Sequence, residues 1–364
     1  MTLKDRLSEL TDWVRHRWMY RKGSTTEQGA ETSGGTHRGR LWVARLWDRL
    51  AGLFGGGATR RNWVWRIGRI ALVLLLLYYP IGMMLTHEID DDLTFRPAAN
   101  DQTDGGSKAV DMLTALIDRE VDAKRWTAND PFFLPSSQLD NMPNFQQGVI
   151  AALARFTFEL TDQLGRTRGS SQADADLQSA AGSLQYAGDV WMWNPSVSPW
   201  PQATAEAKYR EAGAALRSYN RRLAQGNAVF DKRGDNLLAT LDRIALDLGS
   251  SSAALDTAVV ERAGSLIDTQ ADDLFYSVKG QTYAYYLILN ALGSDFETLI
   301  AERELNKPWA QMLASMAKAA SLDPWVVVNA DPDAQLMPSH LAAQGFYLLR
   351  ARTQLREITN ILLK

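Results

Sequence analysis

The hydrophobic pattern of the chain has one unbroken apolar block and many periodic ones. Residues 70–85, IALVLLLLYYPIGMML, carry no charged side chain. A helix crosses a hydrocarbon core of roughly 30 Å with about 20 apolar residues. The charge-free run is slightly short of that. Arg66 and Arg69 complete it, because their stems can lie in lipid while the guanidinium groups reach the headgroups. Trp63, Trp65, Tyr78 and Tyr79 suit the two interfaces, and Pro80 is expected to kink or loosen the last turn. The pattern predicts a single transmembrane helix over residues 63–86. The exit Met83-Met84-Leu85-Thr86-His87 lacks the small residues of a signal cleavage site. Residues 72–77 have no polar face, which argues against an interfacial helix.

Ahead of this block, residues 3–20 and 40–54 repeat Leu and Trp at helical spacing, with arginines on other faces. They predict two amphipathic helices that touch the inner leaflet. Residues 22–39, rich in Gly, Ser and Thr, read as a flexible linker. After the block, residues 87–107 show no sustained period and read as an acidic juxtamembrane linker, and the domain proper is expected over 108–364. There the period is helical almost throughout. Helices are expected at 110–121, 145–164, 173–190, 203–225, 235–248, from 255, at 272–292, 309–320 and 339–363, the last with Ser339 as its N-cap. Gly249 to Ser252 reads as a stop between two of them, and Val326 to Val328 is the one β-like run. The prolines of 126–143 and 191–201 mark irregular connections. The fold class is therefore all-α: one N-terminal transmembrane helix followed by a multi-helix bundle.

Charge adds an orientation. Residues 1–62 hold 12 Lys/Arg against 6 Asp/Glu, whereas residues 87–364 hold 25 against 36. The excess of positive charge before the helix predicts a cytoplasmic N-terminus and an outer, periplasmic bundle. The acidic balance of the bundle disfavours nucleic acid as a partner. The absence of cysteine excludes disulfides, thiolate nucleophiles and Cys-based zinc sites.

Candidate chemistry is sparse. His87, Glu88, Asp90, Asp91 and Asp92 form an acidic cluster that could hold a hard cation. It lacks the glycine and the glutamate of a calcium loop, so it reads as a solvated flank that fixes the outer end of the helix. Beyond the block only His87 and His340 are available to a catalytic triad, and His340 at the start of the last helix reads as a cap or core residue. Ser315-x-x-Lys318 resembles a nucleophile motif but lacks its Lys-Thr-Gly companion. The remaining candidate is an aromatic elbow, WMWNPSVSPWP, with Trp191, Trp193 and Trp200, joined by the earlier Trp126. Rings on irregular segments offer contact area at low entropic cost. No cofactor motif is present, and no cofactor is expected.

The run YPIGMMLTHEIDDDLTF, residues 79–95, resembles the membrane-exit signature of an uncharacterised bacterial membrane-protein family, a domain of unknown function. The segment Pro338-Ser339-His340-Leu341, with Gly345 to Arg352, resembles it too, so the likeness is expected to run from Arg66 to the end. It implies a proteobacterial envelope protein and assigns no activity. Together these features lead to the expectation of a single-pass inner-membrane protein whose outer domain binds or scaffolds envelope partners, a protein or peptidoglycan, besides the lipid bilayer. The alternative is a membrane-tethered hydrolase acting on cell-wall glycan or peptide.

Overall fold

The computed structural model describes residues 60–165, 173–193, 199–262, 268–331, 334, 335 and 337–364. The two amphipathic helices and the linker expected before residue 60 lie outside them. The chain divides into two compact units, Met1–Leu72 and Val73–Lys364, with the boundary inside the first helix. That helix, α1, is Arg60–Thr86. Its stretch Trp65–Thr86 has a mean hydropathy of 1.8 and no fully buried residue, and it is long and apolar enough to cross a membrane.

The described residues hold nine further helices and no strand: α2 Lys108–Asp118, α3 Asn141–Glu159, α4 Ala175–Leu184, α5 Ala205–Ala224, α6 Gly234–Arg262, α7 Thr269–Asp295, α8 Glu297–Glu302, α9 Asn306–Ala320 and α10 His340–Leu362. The all-α bundle behind one apolar helix is as expected. The stripe Phe145, Val149, Leu153, Phe156 and Leu160 is buried along its whole length, and so is Leu341, Leu348, Leu355, Ile358 and Leu362 on α10.

α7 is the centre of the bundle, with α2, α3, α6, α9 and α10 against it. It lies so close to α3 that a Cβ on Gly148 would meet the carbonyl oxygen of Ser277, and one on Gly280 that of Phe145. Only glycine admits such an approach of two backbones. The C-terminal end of α7 also completes α2. The Asp295 carboxylate accepts from the backbone N–H groups of Lys108 and Ala109, both at 2.9 Å, and from the Ser107 hydroxyl at 2.7 Å. Ser107 itself accepts from the Val110 N–H. A buried carboxylate at a helix N-terminus meets orphan donors and the positive end of the dipole together.

Several expectations are corrected. α6 runs unbroken through Gly249 to Ser252, where a stop was expected, and no new helix begins at Leu255. Tertiary packing overrides the weak local propensity: the Arg352 guanidinium of α10 lies over Gly249, in the space a side chain would take. Ser251 ties the same turn to Gln281 at 2.5 Å. The fourth helix stops at Leu184 rather than near 190, and the short α8 has no counterpart in the pattern. Val326 to Val328 forms no strand; a single bridge joins Asn329 to Ser339. The expected linker after α1 is packed, with Ile89, Leu93 and Phe95 against the core. α2 and α3 each end in a π-helical turn, Arg119–Ala123 and Leu160–Leu164.

The α3–α7 contact sets a stability prediction. Gly148→Ala or Gly280→Ala forces the two backbones apart and lowers stability by about 3 kcal/mol or more. Gly182→Ala, in α4 with open space around its Cβ position, leaves stability unchanged or raises it by up to about 1 kcal/mol. Denaturant unfolding of the three variants separates the cases.

Candidate functional site

The elbow between α4 and α5 is held from behind by the core. Trp126 is buried, packs edge-on against Tyr209 with ring centroids 5.1 Å apart, and donates its indole N–H to the Gly188 carbonyl at 2.8 Å. The Tyr209 hydroxyl donates to the Tyr186 carbonyl at 2.9 Å, and the Asn129 amide to that of Val190 at 2.9 Å. From the other limb, the Gln202 side-chain amide donates to the Trp191 carbonyl at 3.0 Å and its backbone N–H to that of Met192 at 2.9 Å. Five carbonyls between Tyr186 and Met192 are thus satisfied although no helix or strand is present there, and this limb of the elbow is held in one shape.

In front of it lies a cavity of about 670 Å³. Phe132 and Phe133 form one wall and Val190, Trp191 and Trp193 the other. The rings interlock edge-on: Phe132 with Phe133 at 5.6 Å and Phe133 with Trp191 at 6.0 Å. Of the four tryptophans expected at a binding surface, Trp191 and Trp193 line this cavity. Trp200 is exposed outside its lining, and Trp126 offers no surface to a ligand because it supports the wall from inside. Phe132, which is 80% exposed, and Phe133 were missed by the sequence reading. The pair Phe-Phe between Pro131 and Pro135 was the available signal, since two large rings in a proline-bounded loop have no helical face to fill.

The loop carrying these phenylalanines is fastened to α1. The Tyr79 hydroxyl donates to the Phe132 carbonyl at 2.8 Å, and that of Tyr78 to the Phe133 carbonyl at 3.1 Å. Pro135 sits against Gly82, where a Cβ would collide with its ring. Both tyrosines, expected to face an interface, are engaged by the protein. Trp63, Trp65 and Arg69 are exposed along the helix and Arg66 is half-buried.

Beyond Thr86 the chain forms a strap whose carboxylates are spoken for. Asp91 pairs with Lys279 at 2.7 Å, and that lysine side chain is 1% exposed. Asp323 reaches it from the other side at 3.5 Å. Asp90 lies 3.7 Å from Arg119 and 3.6 Å from Lys124, and Glu88 also pairs with Lys124. Asp92 turns back on its own chain, accepting from the N–H and hydroxyl of Thr94, which hold its carboxyl below the usual range. His87 is exposed. The cluster read from sequence as a solvated flank is therefore divided among separate cations and a turn. Among the described residues no three His, Asp or Glu side chains converge as metal ligands.

Arg119 is the inner end of this network. The π-helical turn aims it and Glu120 inward together, and the guanidinium donates to Glu120 Oε1 at 2.6 Å and 2.9 Å and to the Tyr283 hydroxyl at 2.6 Å. Tyr283 in turn donates to the Asp92 carbonyl at 2.9 Å. The guanidinium lies over the rings of Phe95 at 4.7 Å and Tyr283 at 5.0 Å, a cation–π arrangement. Burial pushes the Glu120 carboxyl up, against the pull of Arg119.

Other residues with chemical potential are structural. His340 Nδ1 accepts from the Val328 N–H at 2.9 Å, and burial lowers its pKa, in keeping with a neutral ring in a capping role. The Ser315 hydroxyl donates to Gln354 at 2.7 Å, while the Lys318 ammonium lies 5.9 Å over the Tyr347 ring. The carboxyls raised by burial, those of Asp111, Glu120, Glu159, Asp272 and Asp273, are absent from the lining of the aromatic cavity.

The chain thus presents an apolar helix that feeds through a paired strap into a helical bundle, with an aromatic cavity beside the helix. Residues 59–270 match the model of a bacterial family described as uncharacterized protein conserved in bacteria, DUF2333. The match takes in more than half of the chain, and the chain belongs to this family. It spans α1, the strap and α2 to α6. It stops short of the segment Pro338 to Arg352, to which the likeness was expected to extend. No curated protein and no solved structure matches the chain.

Two predictions follow from the charges. Asp91→Ala leaves the buried Lys279 with Asp323 alone and lowers stability by about 3 kcal/mol. Lys279→Met costs far less, because a buried ion pair can be replaced by an apolar side chain of similar volume. A double-mutant cycle on unfolding free energies measures the coupling.

The second concerns Asp272, whose carboxyl is raised to about 6 by burial and then by Asp140 and Asp273. A folded-state value above the unfolded 3.8 means that its contribution to stability is fully present below pH 3.8 and is lost as pH rises through 6. Asp272→Asn therefore stabilises the protein at pH 8 relative to wild type, and the gain disappears by pH 4, as paired thermal melts at the two values would record.

Proposed function

We propose that this is a single-pass inner-membrane protein of the bacterial envelope. Its N-terminal segment stays in the cytoplasm, and its helical bundle stands in the periplasm, where it binds or scaffolds envelope partners at the aromatic elbow. The observation that carries the reading is the cavity between Phe132, Phe133, Trp191 and Trp193. It is preformed, mostly apolar and built on a backbone whose carbonyls are already satisfied, which are the properties of a binding site. The charge asymmetry across α1 supports the orientation.

The alternative, a tethered hydrolase, needs a general acid with a raised pKa at the site. The raised carboxyls lie elsewhere among the described residues, so binding is favoured over catalysis.

Alkaline phosphatase fused after Pro97 is expected to be active and fused after Arg40 inactive; the reverse pattern would overturn the orientation. Crosslinking in intact membranes is expected to yield adducts that Trp191→Ala and Trp193→Ala reduce severalfold. Adducts unchanged in both variants would remove the elbow from the binding surface.

A further inference from the structure

The contact between the Pro131–Pro135 loop and α1 assigns the loop a depth. Tyr79 and Tyr78 lie seven and eight residues before Thr86, where α1 ends. At 1.5 Å per residue the loop touches the helix roughly 10–12 Å short of that end. If Trp65–Thr86 spans a core of about 30 Å, almost its whole length is needed. The phenylalanine loop then reaches the level of the acyl chains rather than the water above them. Its construction fits that level. In lipid a bare backbone carbonyl has no partner, and the two carbonyls at the tip of the loop are those that Tyr78 and Tyr79 satisfy. Between them the loop presents Phe132 and Phe133, both exposed, as are Leu74 to Leu77 and Ile81 on the helix to which the loop is fastened.

We propose, resting on the reading that α1 spans the bilayer, that the cavity is an acyl-chain site. Its occupant is the tail of a phospholipid from the leaflet into which α1 emerges. The lining favours a hydrocarbon over a sugar. Of its polar side chains, the Tyr186 hydroxyl is committed to the Ala203 carbonyl at 2.9 Å and the Gln202 amide to Trp191. Asp189 is the one charged group in the lining. A saccharide would leave most of its hydroxyls without partners, whereas a tail meets rings on both walls. Gly82 is part of the device: its missing side chain lets Pro135 lie on the helix and so keeps the loop that bears Phe132 and Phe133 against α1.

The test uses the full-length chain in phosphatidylcholine vesicles doped with a phosphatidylcholine that carries a diazirine on its tail. After irradiation, adducts are mapped by peptide mass spectrometry. Adducts are expected on α1 between Ile70 and Leu85 and also on the peptides that contain Phe132–Phe133 and Trp191–Trp193. Gly82→Leu, which displaces the loop wall of the cavity without changing any residue of its lining, is expected to reduce the loop and elbow adducts at least fivefold while those on α1 stay constant. Circular dichroism establishes that the variant remains helical.

Wild-type adducts confined to α1 would overturn the proposal and leave the membrane reading standing. Absence of adducts from α1 as well would overturn both. Elbow labelling by a headgroup-borne diazirine but not by the tail-borne one would place the elbow at the interface and also defeat the proposal. So would elbow labelling that Gly82→Leu leaves unchanged.

Discussion

A charge removed from water must be paired, and two cations of this bundle, Arg119 and Lys279, are almost wholly removed from it. Much of the lower architecture is arranged to meet that demand. Glu120 pairs with Arg119 locally, but Lys279, in the middle of the central helix, has no local partner. Its carboxylates come from Asp91 on the strap and Asp323 after α9. The strap is thereby held across the bundle. Because the strap starts where α1 ends, the C-terminal end of the apolar helix is tied to the bundle through the buried Lys279.

The same economy governs the aromatic face. Residues 186–192 have no helix or strand to occupy their carbonyls, so side chains packed behind them and Gln202 do so, and the rings in front are presented on that frame. Trp126, Tyr209 and Asn129 face inward to hold it, while Trp191, Trp193, Phe132 and Phe133 face the cavity. Rigid rings around a preformed space lose little entropy when a ligand arrives, and this makes the cavity a more credible site than the exposed tryptophans alone.

How much of this was legible in the sequence depended on whether the cause was periodic. The stripes of α3 and α10 and the apolar block of α1 announce themselves, because burial of one face imposes a repeat. Glycine was misread in two directions. At 249 it suggested a break, although the arginine that fills its space comes from α10, about a hundred residues on. At 148 and 280 it went unremarked, although it decides how closely the two central helices approach. The acidic run after His87 was seen, yet its partners at 119, 124 and 279 could not be, since no local pattern links a carboxylate to a lysine 188 positions away. The tryptophans of the elbow were found by composition, and composition could not separate Trp126, which supports the wall, from Trp191, which forms it.

The reach of the strap has a consequence for how the molecule is made. Synthesis runs from the N-terminus, so Asp91 exists long before Lys279, and Ser107 long before the Asp295 that caps it. Until α7 has been added, Asp91 lacks Lys279 and α2 lacks the Asp295 carboxylate, although Asp90 and Glu88 can already meet Arg119 and Lys124. The apolar helix and the Pro131–Pro135 loop it touches are complete early, but the pairing of the strap with the central helix has to wait for the last third of the chain. Contacts so distant in sequence also close slowly. A chain released before residue 279 would therefore keep its apolar helix and the contact of that helix with the Pro131–Pro135 loop, but lose the ion pair that ties the strap to the central helix.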